Sequence, residues 1–278
     1  MLALAGFALP ADAEGPTTTF KATYAISIGG VVVGKADAEG RFNGNSYDAA
    51  ISGSTSGVTR LVSDAMAKLA GSGTFYGSRI MPSSYDLETT ENGFATHVRM
   101  AMKSGNIVDV VAEPQLAEAP DRVPVTPAHK INVVDPLSAF LVPLDRFGLD
   151  RLGLPSGHRA CTRTVRVFDG WTRYDVQLFY KDTRAVDGGT DMYSGRIIVC
   201  GARYIPIAGH RSGRKAVQDM ADNQRLEVWL APIKGMPVLV PYRILIGTDL
   251  GDLLIYATRF TTEPGDSHAD ASKPATPQ

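Results

Sequence analysis

The sequence has only two cysteines among its 278 residues, no excess of charge of either sign, and no long apolar run. Each shortage excludes a class. Two cysteines cannot build a disulfide-dense scaffold, and they do not stand in a C-x-x-C spacing. Lys and Arg number 28 against 29 Asp and Glu, a net charge of −1. Nucleic-acid-binding domains carry a pronounced basic excess, so a nucleic-acid partner is set aside. No stretch reaches the about 20 apolar residues that a membrane-spanning helix needs. The HExxH zinc helix, the Walker A loop and the GxGxxG turn are missing as well. Gly71-Ser72-Gly73 begins like the last of these, but Tyr76 stands where the third glycine belongs. Gly53-Ser54-Thr55-Ser56-Gly57 has the glycine spacing of a nucleophile elbow with Thr55 in the place of Ser, and reads as a turn. His97, His129, His158, His210 and His268 are dispersed, without a pair at metal-ligand spacing. The sequence therefore predicts no metal, no cofactor and no enzymatic constellation.

What is present is enough for a core. Hydrophobic residues make up 44% of the chain, with 28 Gly and 17 Pro. A chain of this length buries about three-quarters of its unfolded surface, so no metal is needed to hold it. Met1 to Leu9 (MLALAGFAL) is apolar, Pro10 ends the run, and Ala11-Asp12-Ala13 has the small-x-small form of a signal-peptidase site. This predicts a secretory signal over residues 1–13 whose basic start is missing, with a buried N-terminal strand or helix as the alternative. Residues 262–278 are rich in Pro, Ser, Ala and Asp and predict a disordered tail. A single β-rich domain is expected over 14–261.

That domain reads as strands. Thr19 to Ile28 alternates apolar and polar residues, and Gly29-Gly30 supplies the turn into Val31 to Phe42. Ser46 to Ser54 follows, then Pro82 to Glu91, Ala95 to Lys103 and Asn106 to Glu113. Six more such segments run from Arg163 to Thr261. About a dozen short strands with regular turn signals predict a mainly β fold: one curved antiparallel sheet, spiral or barrel-like, because twist accumulates in so wide a sheet. Two short helices are expected. One covers Thr59 to Ala67, and the other starts at Asp135, with Asp135 as cap, Pro136 at the first helical position and Pro143 as stop. Glu113 to Ala128, with four prolines, reads as a crossing segment between two β subregions.

Cys161 and Cys200 flank neighbouring strand regions. In an exported chain with no third cysteine they predict an intramolecular disulfide, which stabilises by roughly 2–4 kcal/mol. Leu137, Phe140 and Leu141 fall at i, i+3 and i+4, one face of the second helix, and must bury against something. Tyr174, Tyr180, Trp229 and Tyr242 are candidates for the opposing wall, of a ligand cavity or of a filled core. Arg211, Arg214 and Lys215 form a basic loop that either meets an anion or is simply solvated. Asp135 and Asp169 are candidates for paired carboxylates, although a cap and a hairpin turn account for them more simply.

Several of these segments carry a resemblance. Tyr24-Ala25-Ile26-Ser27 leading to Gly30-Val31-Val32-Val33-Gly34-Lys35-Ala36, Asp135-Pro136-Leu137-Ser138-Ala139, and Val167-Phe168-Asp169-Gly170-Trp171-Thr172-Arg173-Tyr174 occur in order. Tyr193-Ser194-Gly195 ahead of Cys200, Val228-Trp229-Leu230-Ala231 and Val240-Pro241-Tyr242-Arg243 follow. With these the chain resembles, over most of residues 20–260, an uncharacterised family of exported proteobacterial proteins, domain-of-unknown-function family 3108. More distantly it is similar to spiral β-sheet envelope-integrity proteins and to the half-barrels of lipoprotein carriers. The resemblance implies a periplasmic curved sheet and no assigned reaction. Three classes stay open: an envelope protein that binds a lipid or other apolar ligand, an envelope scaffold or protein-interaction module with a filled core, and, least supported, a hydrolase. Oligomeric state is not legible.

Overall fold

The computed structural model describes residues 17–56, 64–144 and 156–264. The first seven strands are β1 (Thr17–Ile28), β2 (Val31–Asn43), β3 (Ser46–Thr55), β4 (Ala65–Tyr76), β5 (Arg79–Glu91), β6 (Phe94–Lys103) and β7 (Asn106–Glu113). After the two-residue β8 (Val142–Pro143) and helix α1 (Gly157–Cys161) come β9 (Arg163–Phe168), β10 (Arg173–Val186) and β11 (Gly195–Ala208). Helix α2 (Lys215–Asp222), β12 (Leu226–Pro232), β13 (Val238–Thr248) and β14 (Gly251–Pro264) complete the order. All fourteen strands belong to one antiparallel sheet that runs β7-β6-β5-β4-β3-β2-β1-β14-β13-β12-β11-β10-β9, with β8 beside β13. It is the single antiparallel sheet expected, not closed into a barrel, and each half is a run of hairpins. The turn between β5 and β6 illustrates the local cause: Asn92 and Gly93 take φ of 50° and 84°, which Asn and Gly adopt at least cost.

The free edges β7 and β9 are bridged by the segment that follows the proline-rich crossing. Val133 N donates to the Gly105 carbonyl (2.8 Å), Val134 N to Arg166 O (2.8 Å), and Phe168 N back to Val134 O (3.0 Å). The Trp171 indole N–H donates to Pro114 O at 3.1 Å. Upstream, Val123 exchanges backbone bonds with Gly209 and His210. The crossing segment is thus tied at both ends, which a flexible linker is not.

Three apolar clusters form the interior. The first gathers Phe20, Phe42, Tyr47, Phe75, Val240 and Phe260 from the middle of the sheet. The second surrounds Cys161, Leu178, Cys200 and Leu230 in the later strands, and the third joins Tyr85, Val98, Met100 and Leu137 to Phe168.

Several expectations need correction. Two α-helices are present among the described residues, but not where they were expected. Residues 59–63 of the helix expected over Thr59 to Ala67 lie outside the described residues, and Ala65, Met66 and Ala67 belong to β4. From Asp135 the chain makes only a 3-10 turn over Ser138–Phe140. Its cap is as expected, Ser138 N donating to Asp135 Oδ1 at 2.8 Å. The helix does not continue because Val142 and Pro143 pair with Leu239 and Val238, and strand pairing outcompetes another helical turn. β14 runs to Pro264, three residues into the expected tail. The expected signal, residues 1–13, and the remainder of the tail lie outside the described residues.

Candidate ligand-binding cavity

Strands β9 to β13 present one alternating apolar face: Val165 and Val167, then Tyr174, Val176 and Leu178, then Ala202 and Tyr204, then Leu226, Val228 and Leu230, then Ile244 and Ile246. The period of two puts all of these on the same side of the pleat. Two pieces cover that face. One is the turn after Asp135, through Pro136, Ala139, Phe140 and Val142; the other is α2, through Ala216, Val217 and Met220. Between floor and cover lies a cavity of about 520 Å³, within the size range of small-molecule sites. The aliphatic residues are Val, Leu, Ile and Ala, joined by Tyr174 and Tyr204, whose rings meet at a tilt with centres 5.2 Å apart. Burial and the nearby Asp169 charge push the Tyr174 phenol well above its ordinary range, so it stays neutral. A larger groove of about 760 Å³ lies across the other side of the turn. Its lining is mixed, with Arg79, Arg159, Arg163 and Arg166 among apolar residues such as Ile80, Leu141 and Leu144.

The disulfide anchors this half. Cys161, the last residue of α1, is joined to Cys200 in the middle of β11, with Cα atoms 5.4 Å apart and both side chains fully buried. The pairing is the expected one. Its setting differs, since Cys161 ends a helix rather than beginning a strand, and Cys200 lies inside β11 rather than at its end.

Of the expected lining residues, Phe140 and Tyr174 lie at the cavity. Phe140 is 40% exposed, so it forms part of the rim rather than pointing into a core. Leu137 packs into the third cluster and Leu141 into the first. Trp229 alternates with Val228 and Leu230 along β12 and therefore faces the opposite side, whereas Tyr242, in phase with Ile244, is the extra residue of the register shift opposite Trp229 and Leu230 and packs against the first cluster. The guanidinium groups of Arg184 and Arg243 lie against the Trp229 ring, at 4.7 and 4.8 Å from its centre, and Tyr242 meets Phe260. Tyr180 meets His158, ring centres 4.3 Å apart, beside the second cluster. Helix α2 had no place in the sequence reading, although Ala216, Val217 and Met220 give its apolar stripe. It was hidden because the basic run before it reads as loop.

The basic loop separates into different roles. Arg211 Nε donates to Asp121 Oδ1 at 2.8 Å, pinning the loop to the crossing segment. Lys215 Nζ donates to both oxygens of Asp219, one turn along α2, at 2.6 Å. Arg214, just before α2, lines the cavity.

The carboxylates read as a possible pair have separate structural duties. Asp169 Oδ1 accepts from Trp171 N and Thr172 N, and its Oδ2 from the Thr172 hydroxyl, closing the β9–β10 turn. Asp135 is fully buried, and its Oδ2 has no hydrogen-bond partner. Burial raises its carboxyl to about 6, against the opposing hydrogen bonds from Ser138. Ser138 Oγ in turn meets the Tyr47 hydroxyl at 2.6 Å, joining this turn to β3.

One grouping of metal-ligating side chains escaped the sequence. Pairing of β5 with β6 brings Asp86, Glu88 and His97 together, their ligand atoms within 4.8 Å of one another. Asp86 Oδ2 already accepts from Arg99 Nε at 3.1 Å and lies 3.4 Å from His97 Nε2. A guanidinium at that distance compensates the carboxylate in place of an ion, and we assign no metal here.

Comparison with known proteins agrees with this architecture. No curated protein matches the chain. A crystal structure of a β-barrel-like protein of domain of unknown function DUF1849 from Brucella abortus superposes with a TM-score of 0.50. It is 8% identical and covers 90% of this chain and 99% of its own, a likeness of fold alone. The model of the family described as "Protein of unknown function (DUF3108)" matches residues 20–258. Nearly all of the described sheet falls inside that match, and the chain belongs to the DUF3108 family.

Proposed function

We propose that this protein is a non-catalytic binding module of the bacterial envelope that shelters an apolar ligand, such as a lipid chain, in the cavity of its later strands. The cavity itself carries the reading: about 520 Å³ walled by alternate aliphatic side chains under an amphipathic helix. Apolar surface that neither packs nor faces bulk water is what an acyl chain fills with gain. Support for a binding role over a reaction comes from the polar groups at the wall. The Tyr174 phenol is kept neutral by burial, and the Glu227 carboxylate points with Trp229 to the far side of the sheet, held there by Lys181 and by the Trp229 indole N–H. Neither has a nucleophile and base beside it in the arrangement that acyl transfer needs. Support for export comes from the buried disulfide, which persists in oxidising compartments, together with the apolar run at residues 1–9. The periplasm is the compartment this combination fits.

The test uses Nile red, an uncharged apolar dye, titrated into the oxidised full chain. One saturable site is expected. Val176→Trp, which fills the cavity from its floor, should abolish that site while leaving the melting transition in place. No saturable dye binding, or equal binding by the filled variant, overturns the reading.

A further inference from the structure

The rim of the cavity holds a cation that no other side chain among the described residues neutralises. Four basic side chains gather around the α2 end of the sheet. Arg211 is held by Asp121, Lys215 by Asp219, and Arg203 is bonded to Gln224 while lying over the Phe179 ring. Arg214 differs from these three. Among the described residues its side chain has no ion pair and no hydrogen bond, and it alone of the four lines the cavity. A guanidinium presents a planar fork of donors that fits carboxylate and phosphate oxygens.

Position gives this cation a purpose. Arg214 is the residue that leads into α2, and the next turn of that helix turns Ala216, Val217 and Met220 onto the cavity. A chain lying among Val176, Leu178 and Val228 therefore has its apolar length covered by α2 and its end at the cation. The loop before α2 is fixed by Asp121, which accepts from Arg211 Nε and from Gly213 N (3.1 Å). That anchoring holds the Arg214 backbone still while its side chain stays free to meet a ligand.

We propose that the cavity selects amphiphiles with one anionic head, a carboxylate or a phosphate monoester on an alkyl chain, and that Arg214 is the residue that reads the head. This rests on the apolar-ligand reading above and names its ligand class. An uncharged alkyl chain would gain only from burial, whereas an anionic one adds a charge-assisted hydrogen bond at the rim.

The experiment measures displacement of bound Nile red by decanol, decanoate and a single-chain lysophosphatidate, all below their micellar concentrations. In the native chain, the anionic compounds should bind about tenfold tighter than the alcohol, the equivalent of one charge-assisted hydrogen bond. The advantage should shrink as salt rises, because the rim is exposed. Arg214→Gln should erase the preference while decanol and Nile red bind as before, which shows the variant folded with its cavity intact. Arg214→Lys should keep part of it, with the charge but not the fork. Whether decanoate or lysophosphatidate gains more tells carboxylate from phosphate, and a gain by either supports the proposal. Equal binding of alcohol and anions, or a preference that survives Arg214→Gln, overturns it while leaving the apolar cavity standing. Absence of any Nile red or decanol binding overturns the apolar cavity itself and this proposal with it.

Discussion

The two halves of the sheet share a backbone plan and part company in side-chain volume. In the first half, β1 to β4 turn Phe20, Phe42, Tyr47 and Phe75 into a common interior, with the Phe75 ring centre 5.1 Å from Tyr47 and 6.2 Å from Phe42. The space among these rings is used up. A Cβ on Gly73 would lie 2.6 Å from the Tyr47 hydroxyl and 2.5 Å from Met81 O, so β4 must have glycine at that point. In the second half the same alternation delivers Val165, Val167, Val176, Ala202 and Val228, and a cavity is left. A wide curled sheet thus becomes a filled core or a container according to which side chains occupy its inward positions, with no change of topology.

Substitutions at three positions sharpen that contrast. Phe42 is fully buried in the filled half, and Phe42→Ala should cost about 3–5 kcal/mol in urea unfolding through the void it leaves. A loss below about 1 kcal/mol, the size expected of an exposed site, would mean that this interior is not tightly packed.

Asp135, on the turn between the halves, comes next. Its carboxyl is raised to about 6 by burial, from a usual value near 4. A raised carboxylate favours the folded state while it is protonated, so its contribution is full below about pH 4 and is lost as the pH climbs through about 6. The native chain should thus lose roughly 3 kcal/mol from this group between pH 4 and pH 7.5, and Asp135→Asn should not. The difference in unfolding free energy between the two proteins at the two pH values reads it directly. A difference that does not change with pH would show that the carboxyl is not desolvated in the folded protein.

The smallest effect belongs to the cavity rim. Phe140→Ala should cost below about 1 kcal/mol, because the ring is 40% exposed and leaves no closed void, yet it should weaken Nile red binding. A stability loss as large as that of Phe42→Ala would place Phe140 in a core and erase the distinction between the halves.

Sequence patterning carried the sheet further than it carried the cavity. Alternation and turn residues are local, so most strands and the hairpin order were legible, and the cysteine pairing followed from there being two. β4 was hidden because Gly71 and Gly73 dilute its alternation. Their lack of side chains is explained only by what packs there from afar, Leu137 and the Tyr47 hydroxyl. The turn at Asp135 read as a helix because its cap is real, while the β8–β13 pairing that ends it joins residues far apart in the chain. For the cavity, alternation separates Val228 from Trp229 but does not say which of the two meets α2. That choice is made by the curl of the sheet, so Trp229 was placed on the wall it turns away from. Tyr242 was placed there too, because alternation does not show the register shift that packs it against the first cluster.

The strand order also says how the chain must find this shape. Nearly every pairing joins strands that follow one another, and such ladders close small loops and zip quickly. Apart from the two-residue β8 beside β13, the exception is β1 with β14, where Thr18 meets Pro264 across almost the whole length of the described chain. The closure entropy of the fold is therefore concentrated in one seam. Two hairpin arrays can each form early, and the slow event is their meeting along β1 and β14, before which both strands expose an unpaired edge.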